Sequence, residues 1–268
     1  AIGNNTIASG ENSTSIGNGN SATGDYSISI GNDNTTAEGE FSLAMGIGTL
    51  ASGNYSTTMG YYTTASGIYS TSMGANTTAS GDYSIASGYQ SEASGDYSTA
   101  MGYGTTASGR YSTAMGRNTT ASGYYTTAMG YSTTASGRNS TAMGAYTTAS
   151  DFGSLVIGQF NSSGSSVTNS ATQFNTANTA FVIGNGADGS NQSDAFKVLF
   201  NGNTTATGSV TATSFIGDGS QLSNIPSASI AFTDLTSTPT TIDGYGITDA
   251  GTGILSPVTE NSNTGVRL

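Results

Sequence analysis

The sequence predicts an all-β fold, a parallel β-roll in which each coil takes about fourteen residues. Three observations carry this reading. Glycine falls on nearly every seventh residue, from Gly3 through Gly31 and, after one inserted residue, from Gly39 through Gly144. The phase then persists with Asp151 in the next slot and Gly158 in the one after. Apolar and polar residues alternate with period two around each glycine, the mark of short strands ended by tight turns. Helix is disfavoured throughout, because each glycine costs about 0.8–1 kcal/mol against alanine in a helix.

The heptads alternate in kind, so one coil holds two half-turns, as in Ala107-Ser-Gly109-Arg-Tyr-Ser-Thr-Ala-Met-Gly116. Two residues before each glycine stands Ala, or sometimes Ser or Thr (Ala65, Ser72, Ala79, Ala100, Ala114), and four before it Ser or Thr (Thr63, Ser70, Thr77, Ser98). Period-two geometry puts these on one side of a strand, which makes them the interior. Immediately before the glycine the halves differ: one carries Ser52, Ser66, Ser80, Ser108, Ser122 and Ser136, the other every methionine of the chain. Stacking about eleven such coils at about 4.8 Å gives a roll about 50 Å long.

An interior of Ala and Ser is too small to hold a single roll together, and the methionines point to what does. Met45, Met59, Met73, Met101, Met115, Met129 and Met143, backed by Ile16, Ile30 and Ile157 in the same slot, form one continuous stripe on an outer face. Left open, that stripe would be an extended apolar patch. Three copies closed around an axis bury it, at about 25 cal/mol per Å² of apolar surface. The periodicity itself requires some self-association; two further copies is the reading taken from the width of the stripe together with the precedent of known fibres.

The alternation of Ser-x-Ala-hydrophobic-Gly with Ala-x-Gly, seen in Ser112-Thr-Ala114-Met-Gly116 and Ala121-Ser-Gly123, resembles the head repeats of trimeric autotransporter adhesins, the YadA-like β-roll. It covers about three-fifths of the chain and recurs in phase about ten times. The resemblance implies a left-handed parallel β-roll, an intertwined homotrimeric fibre and binding to host surfaces.

Past Gly158 the rhythm stops and aliphatic and aromatic residues appear. Residues 1–158 are therefore read as the roll and 159–200 as a β-rich connector, in which Phe181–Gly186 and Asp194–Leu199 form two strands around a polar turn. Residues 201–250 are read as a trimeric shaft. Their segments Phe215-Ile-Gly-Asp-Gly-Ser-Gln-Leu-Ser-Asn-Ile-Pro226, Phe232–Pro239 and Ile242–Asp249 are similar to segments that recur in bacteriophage tail fibres. Residues 251–268 are read as a tip or junction, since Asn263-Thr-Gly-Val-Arg-Leu268 resembles the sequence that precedes a self-cleaving intramolecular chaperone in such fibres. That resemblance carries the expectation of a chaperone domain beyond Leu268, as Ala1-Ile-Gly3, which begins inside a repeat, carries that of a longer chain before it.

Sixteen acids against five bases give a net charge of −11, yet only 8% of residues are charged. Clustered Lys and Arg for nucleic acid are lacking, no apolar run is long enough to span a membrane, and no cysteine is present for disulfides or thiol chemistry. Without His or Cys there is no nucleophile–imidazole arrangement and no imidazole metal site. Catalytic residues, metal and cofactor are therefore all expected to be none. Among carboxylates, Asp82 and Asp96 lie one coil apart, about the separation of a retaining glycosidase pair, with Glu92 between them in sequence; solvated positions in the slot after glycine are the plainer reading. Glu38 and Glu40 flank the inserted residue and are expected to cap a bulge.

Tyrosine recurs two residues after glycine at Tyr26, Tyr55, Tyr69, Tyr83, Tyr97, Tyr111 and Tyr125, with Phe41 in register. Stacked rungs make these a ladder that stiffens the coil or packs between subunits. A glycan-contact ladder of Tyr55, Tyr69, Tyr83, Tyr97, Tyr111 and Tyr125 is the functional alternative. The leading reading is a non-enzymatic, extracellular trimeric fibre of a phage or phage-related particle whose partner is a cell-surface glycan or protein. A cell-anchored bacterial adhesin is the alternative, and ice binding through the outward Thr64-x-Ser66, Thr106-x-Ser108 and Thr120-x-Ser122 columns the minor one.

Overall fold

The computed structural model describes residues 1–162, 170–214 and 216. The chain divides into two compact units, Ala1–Thr211 and Ala212–Leu268. The segments read as a tail-fibre shaft and junction fall, from Phe215 onward, almost wholly outside the described residues.

Within the first unit the described residues form an all-β parallel solenoid with no helix. Each coil contributes one long strand, such as Thr113–Arg117, and one short strand, such as Thr120–Ala121. The long strands stack into a wide sheet and the short ones into an eleven-stranded narrow sheet. Equivalent residues pair one coil apart, Met115 with Met129 and Ala121 with Ala135. Turns are tied the same way: Thr113 N–H donates to the Thr126 carbonyl at 2.8 Å and Ser122 N–H to that of Ala135 at 2.9 Å.

The interior is as narrow as the composition predicts. Ala100, Ala107, Ala114 and Ala121 are fully buried, as are Ser98 and Thr105 at the two corners. Space between coils is set by the glycine columns. A Cβ on Gly102 would lie 1.9 Å from the Gly116 carbonyl oxygen, and one on Gly109 would lie 1.9 Å from that of Gly123. Gly102 also sits at φ +135°, a region closed to side chains. Asp151 can stand in a glycine slot because it is the last rung of its column: Gly137 still meets its carbonyl, and its own Oδ2 accepts the amide of Thr179 at 2.8 Å.

One expectation is corrected. The residue inserted after Gly31 is absorbed in the turn Asp33-Asn34, both in left-handed backbone at φ 51° and 62°, because Ile28 pairs with Leu43 and Ser21 with Thr36 on either side of it. Glu38 and Glu40 cap no bulge; their amides bond the Ala51 carbonyl and Asn54 Oδ1 in the ordinary pattern between coils.

The wide sheet does not end with the heptad rhythm. Thr179–Asn185 pairs in parallel with Leu155–Gln159, Ile183 over Ile157 and Gly184 over Gly158. It then forms the expected hairpin with Asp194–Leu199, followed by Thr204–Ala206, both antiparallel. In the turn of that hairpin, hydrogen bonds from the Asn191 side chain and from the Ser190 and Asn191 amides hold the Asp188 carboxyl below its usual range. The last short strand, Thr148–Ala149, is closed by Asn161, whose side-chain amide accepts from Thr148 N–H at 2.7 Å and donates to its carbonyl at 3.0 Å. The edge thus meets a substitute for the next peptide group.

Gly109→Ala should destabilise the roll by about 3 kcal/mol or more, since its clash is with backbone. Gly189→Ala, where no atom lies within 4 Å, should leave the melting temperature unchanged. Thermal unfolding followed by circular dichroism compares the two, and equal melting temperatures would refute the spacing argument.

Candidate functional site

Three surfaces of the roll bear the residues singled out in the sequence. On the long strands Ala114 points inward while Thr113, Met115 and Arg117 point outward, so the wide sheet presents three outer columns. The middle one holds Ile16, Ile30, Met45, Met59, Met73, Met101, Met115, Met129, Met143 and Ile157 in direct register, interrupted by Ser87. Met45, Met59 and Met101 are 36–39% exposed in the single chain, and Ile28, Ile47, Ile85, Tyr89 and Tyr103 beside them are exposed as well. The face is thus broadly apolar and wider than the methionine column alone.

The second surface is the turn that precedes each long strand. Tyr26, Phe41, Tyr55, Tyr69, Tyr83, Tyr97, Tyr111 and Tyr125 stack there with centroids 4.7–5.2 Å apart and planes within 15° of parallel. Each adopts left-handed backbone, φ 56–58°, at a cost of about 1–2 kcal/mol for a residue with a Cβ. Ring stacking, worth about 0.5–1.5 kcal/mol per pair, offsets it. The rings are roughly half exposed, but stacking covers the faces of interior members and leaves edges and hydroxyls to solvent.

Beside the ladder, the slot after glycine has a local structural role. Asp82 Oδ1 accepts the Ile68 amide at 2.9 Å, Asp96 Oδ1 the Asp82 amide at 3.2 Å, and Asp25 Oδ1 the Glu11 amide at 2.8 Å. A carboxylate here binds the backbone of the preceding coil, which accounts for the Asp82 and Asp96 spacing without catalysis. Arg110 lies 3.8 Å from Asp96 and over the rings of Tyr97 and Tyr111; Arg117, on the wide sheet, lies 5.4 Å from the centroids of both Tyr103 and Tyr131. This stacking was not foreseen, although Arg117 shares a column with Tyr103 and Tyr131 and Arg110 directly precedes Tyr111. A hydrogen bond with Tyr131, and secondarily burial, pushes the Tyr146 phenol above its usual value.

The third surface is the outer face of the narrow sheet, with Thr64, Thr78, Thr106, Thr120 and Thr134 in register and Glu92 breaking the column. Where roll meets hairpin, a polar cavity of about 20 Å³ lies among Asp151, Asn161, Thr179, Asp194 and Lys197, room for about one water molecule rather than a substrate.

The sequence that forms these fourteen-residue coils matches a family model described as YadA head domain repeat (2 copies), at residues 1–20, 8–34, 37–63, 65–91, 93–119 and 121–147, together just over half of the chain. The chain belongs to the YadA head repeat family. Each of the longer matches spans two coils, and the break between Asn34 and Ala37 falls at the inserted residue. No curated protein matches the chain. Membership in the YadA head family fits a structural adhesin exposed outside the cell.

Tyr83→Gly tests which term governs the ladder. It removes the left-handed strain and two stacking contacts together, and the melting temperature should fall; a rise would show that strain outweighs stacking.

Proposed function

We propose that the chain is the adhesive part of a non-enzymatic homotrimeric fibre that meets a cell-surface glycan or protein. The observation that carries this is the outer face of the wide sheet: a column of Ile and Met interrupted at Ser87, flanked by exposed Ile, Leu and Tyr, over an interior built mainly of Ala, Ser and Thr. Such a roll gains little from its own core, and burying that face between copies supplies what the core lacks. The axis residues in this reading are Ile16, Ile30, Met45, Met59, Met73, Met101, Met115, Met129, Met143 and Ile157. The narrow sheet and the edges of the ladder remain outward to make contacts.

The fibre is assigned to a phage or phage-related particle, on the tail-fibre-like segments between Phe215 and Asp249. The domain division at 158, 200 and 250 follows the same composition changes. A cell-anchored bacterial adhesin is the second reading, favoured by membership in the head repeat family. In either case the register of three period-seven chains needs a unique sequence, and the hairpin with the residues after it is the available source.

Light scattering coupled to size exclusion should give about three times the 26.7 kDa chain mass. Met115→Asp, which would gather like charges at the axis at a cost of several kcal/mol (roughly 3–5), should dissociate the assembly, while Ser122→Asp, exposed just past the short strand, should leave mass and melting temperature intact. A monomeric native chain would falsify the axis model.

A further inference from the structure

The ring ladder has faces to offer only at its ends. Tyr125 is the last member; the following rungs of its column are Asn139 and Gly153, so the ring face turned away from Tyr111 has no aromatic cover. Tyr125 is 51% exposed, against 39–48% for the other members of the ladder, and Tyr124 beside it is 55% exposed. Asn139 holds the same left-handed turn at φ 60°, and its amide bonds the Tyr124 carbonyl at 2.9 Å. The coil above Tyr125 is thus in place without a ring.

Charge is distributed unevenly along the roll. The roll carries Glu11, Asp25, Asp33, Glu38, Glu40, Asp82, Glu92 and Asp96 before its first arginine, and then no carboxylate until Asp151. Its three arginines lie in that acid-free stretch. Arg110 is engaged by Asp96 and two rings and Arg117 by two rings. Arg138 is exposed, and among the described residues its guanidinium has neither a carboxylate nor a ring partner. It stands one rung above Tyr124 and next to Asn139, while Asp151 is buried and turned to the Thr179 amide. At the opposite end of the ladder the open face of Tyr26 lies beside Asp25 and Glu11, which would repel an anion.

We propose that the C-terminal end of the ladder is a subsite for a carboxylate-bearing sugar unit. Its apolar ring face would lie on the open face of Tyr125, its carboxylate on Arg138, and its hydroxyls within reach of Asn139 and Tyr124. The guanidinium fork matches a carboxylate in two parallel hydrogen bonds, and an aromatic face beside it selects a ring over a free anion. This narrows the adhesive reading above, on which it rests, to one class of ligand and one end of the ladder.

The test uses the full chain and a tetramer of galacturonic acid, titrated by calorimetry, with a neutral glucose tetramer as the comparison. Saturable binding of the acidic oligomer is expected, weakened about tenfold or more by Arg138→Gln and by Tyr125→Asn. Tyr69→Asn removes a ring whose faces are both covered and should leave binding unchanged. Asn suits left-handed backbone, so the tyrosine variants keep the turn; should Tyr125→Asn melt early, Arg138→Gln alone decides. No binding of the acidic oligomer, equal binding of the neutral one, or equal loss in Tyr69→Asn and Tyr125→Asn would overturn the subsite. Attachment of the labelled chain to cells is measured in parallel. Attachment that survives Arg138→Gln unchanged would remove the subsite and leave the adhesive reading standing; binding of the acidic oligomer by a chain that attaches to no cell would do the reverse.

Discussion

Backbone meets backbone at the glycine columns, and the rest of the roll follows from that approach. With coils stacked at strand spacing, the position of a missing Cβ on Gly102, Gly109 or Gly144 lies about 2 Å from a carbonyl oxygen of the next coil. No side chain can share that space, so the residue must be glycine wherever another coil follows. The one departure proves the cause, since Asp151 occurs where the column ends. The period of seven is thus a steric requirement repeated at both corners of each coil.

The close approach has consequences for the interior and exterior together. The interior of the roll is filled mainly by Ala, Ser and Thr, so the buried volume cannot supply much hydrophobic free energy. Larger apolar side chains are displaced to the outer face of the wide sheet, where a single chain leaves them partly in water. Stability and self-association are therefore linked in the proposed fibre, because the face that would join the copies holds the apolar area that the core lacks. The aromatic ladder acts along the other direction, stacking from coil to coil and offsetting the left-handed turns that a ring-bearing residue disfavours.

The end of the roll shows how a parallel solenoid hands over to antiparallel strands. The narrow sheet is closed by the side-chain amide of Asn161, and the wide sheet continues into Thr179–Asn185 and then reverses direction through the hairpin. Antiparallel strands need only a short turn, whereas a further parallel rung would need another full coil. The change in composition after Gly158 thus marks a change in how strands connect, within one sheet.

Much of this was legible from residue order. Period, strand type, inward and outward faces, the methionine column and the tyrosine column all follow from alternation and fixed spacing, which are local and repeat in every coil. The tertiary structure alone decided other points, each of which depends on the residue one coil away. It placed the inserted residue at Asp33-Asn34 instead of beside Glu38 and Glu40, because register is set by pairing on both sides of the turn. It turned the Asp82 and Asp96 carboxylates to backbone amides, and it covered the ring faces of the ladder everywhere but its ends. Spacing in sequence says which residues stack; only the tertiary structure decides which face of each ring and which oxygen of each carboxylate the stacking leaves free.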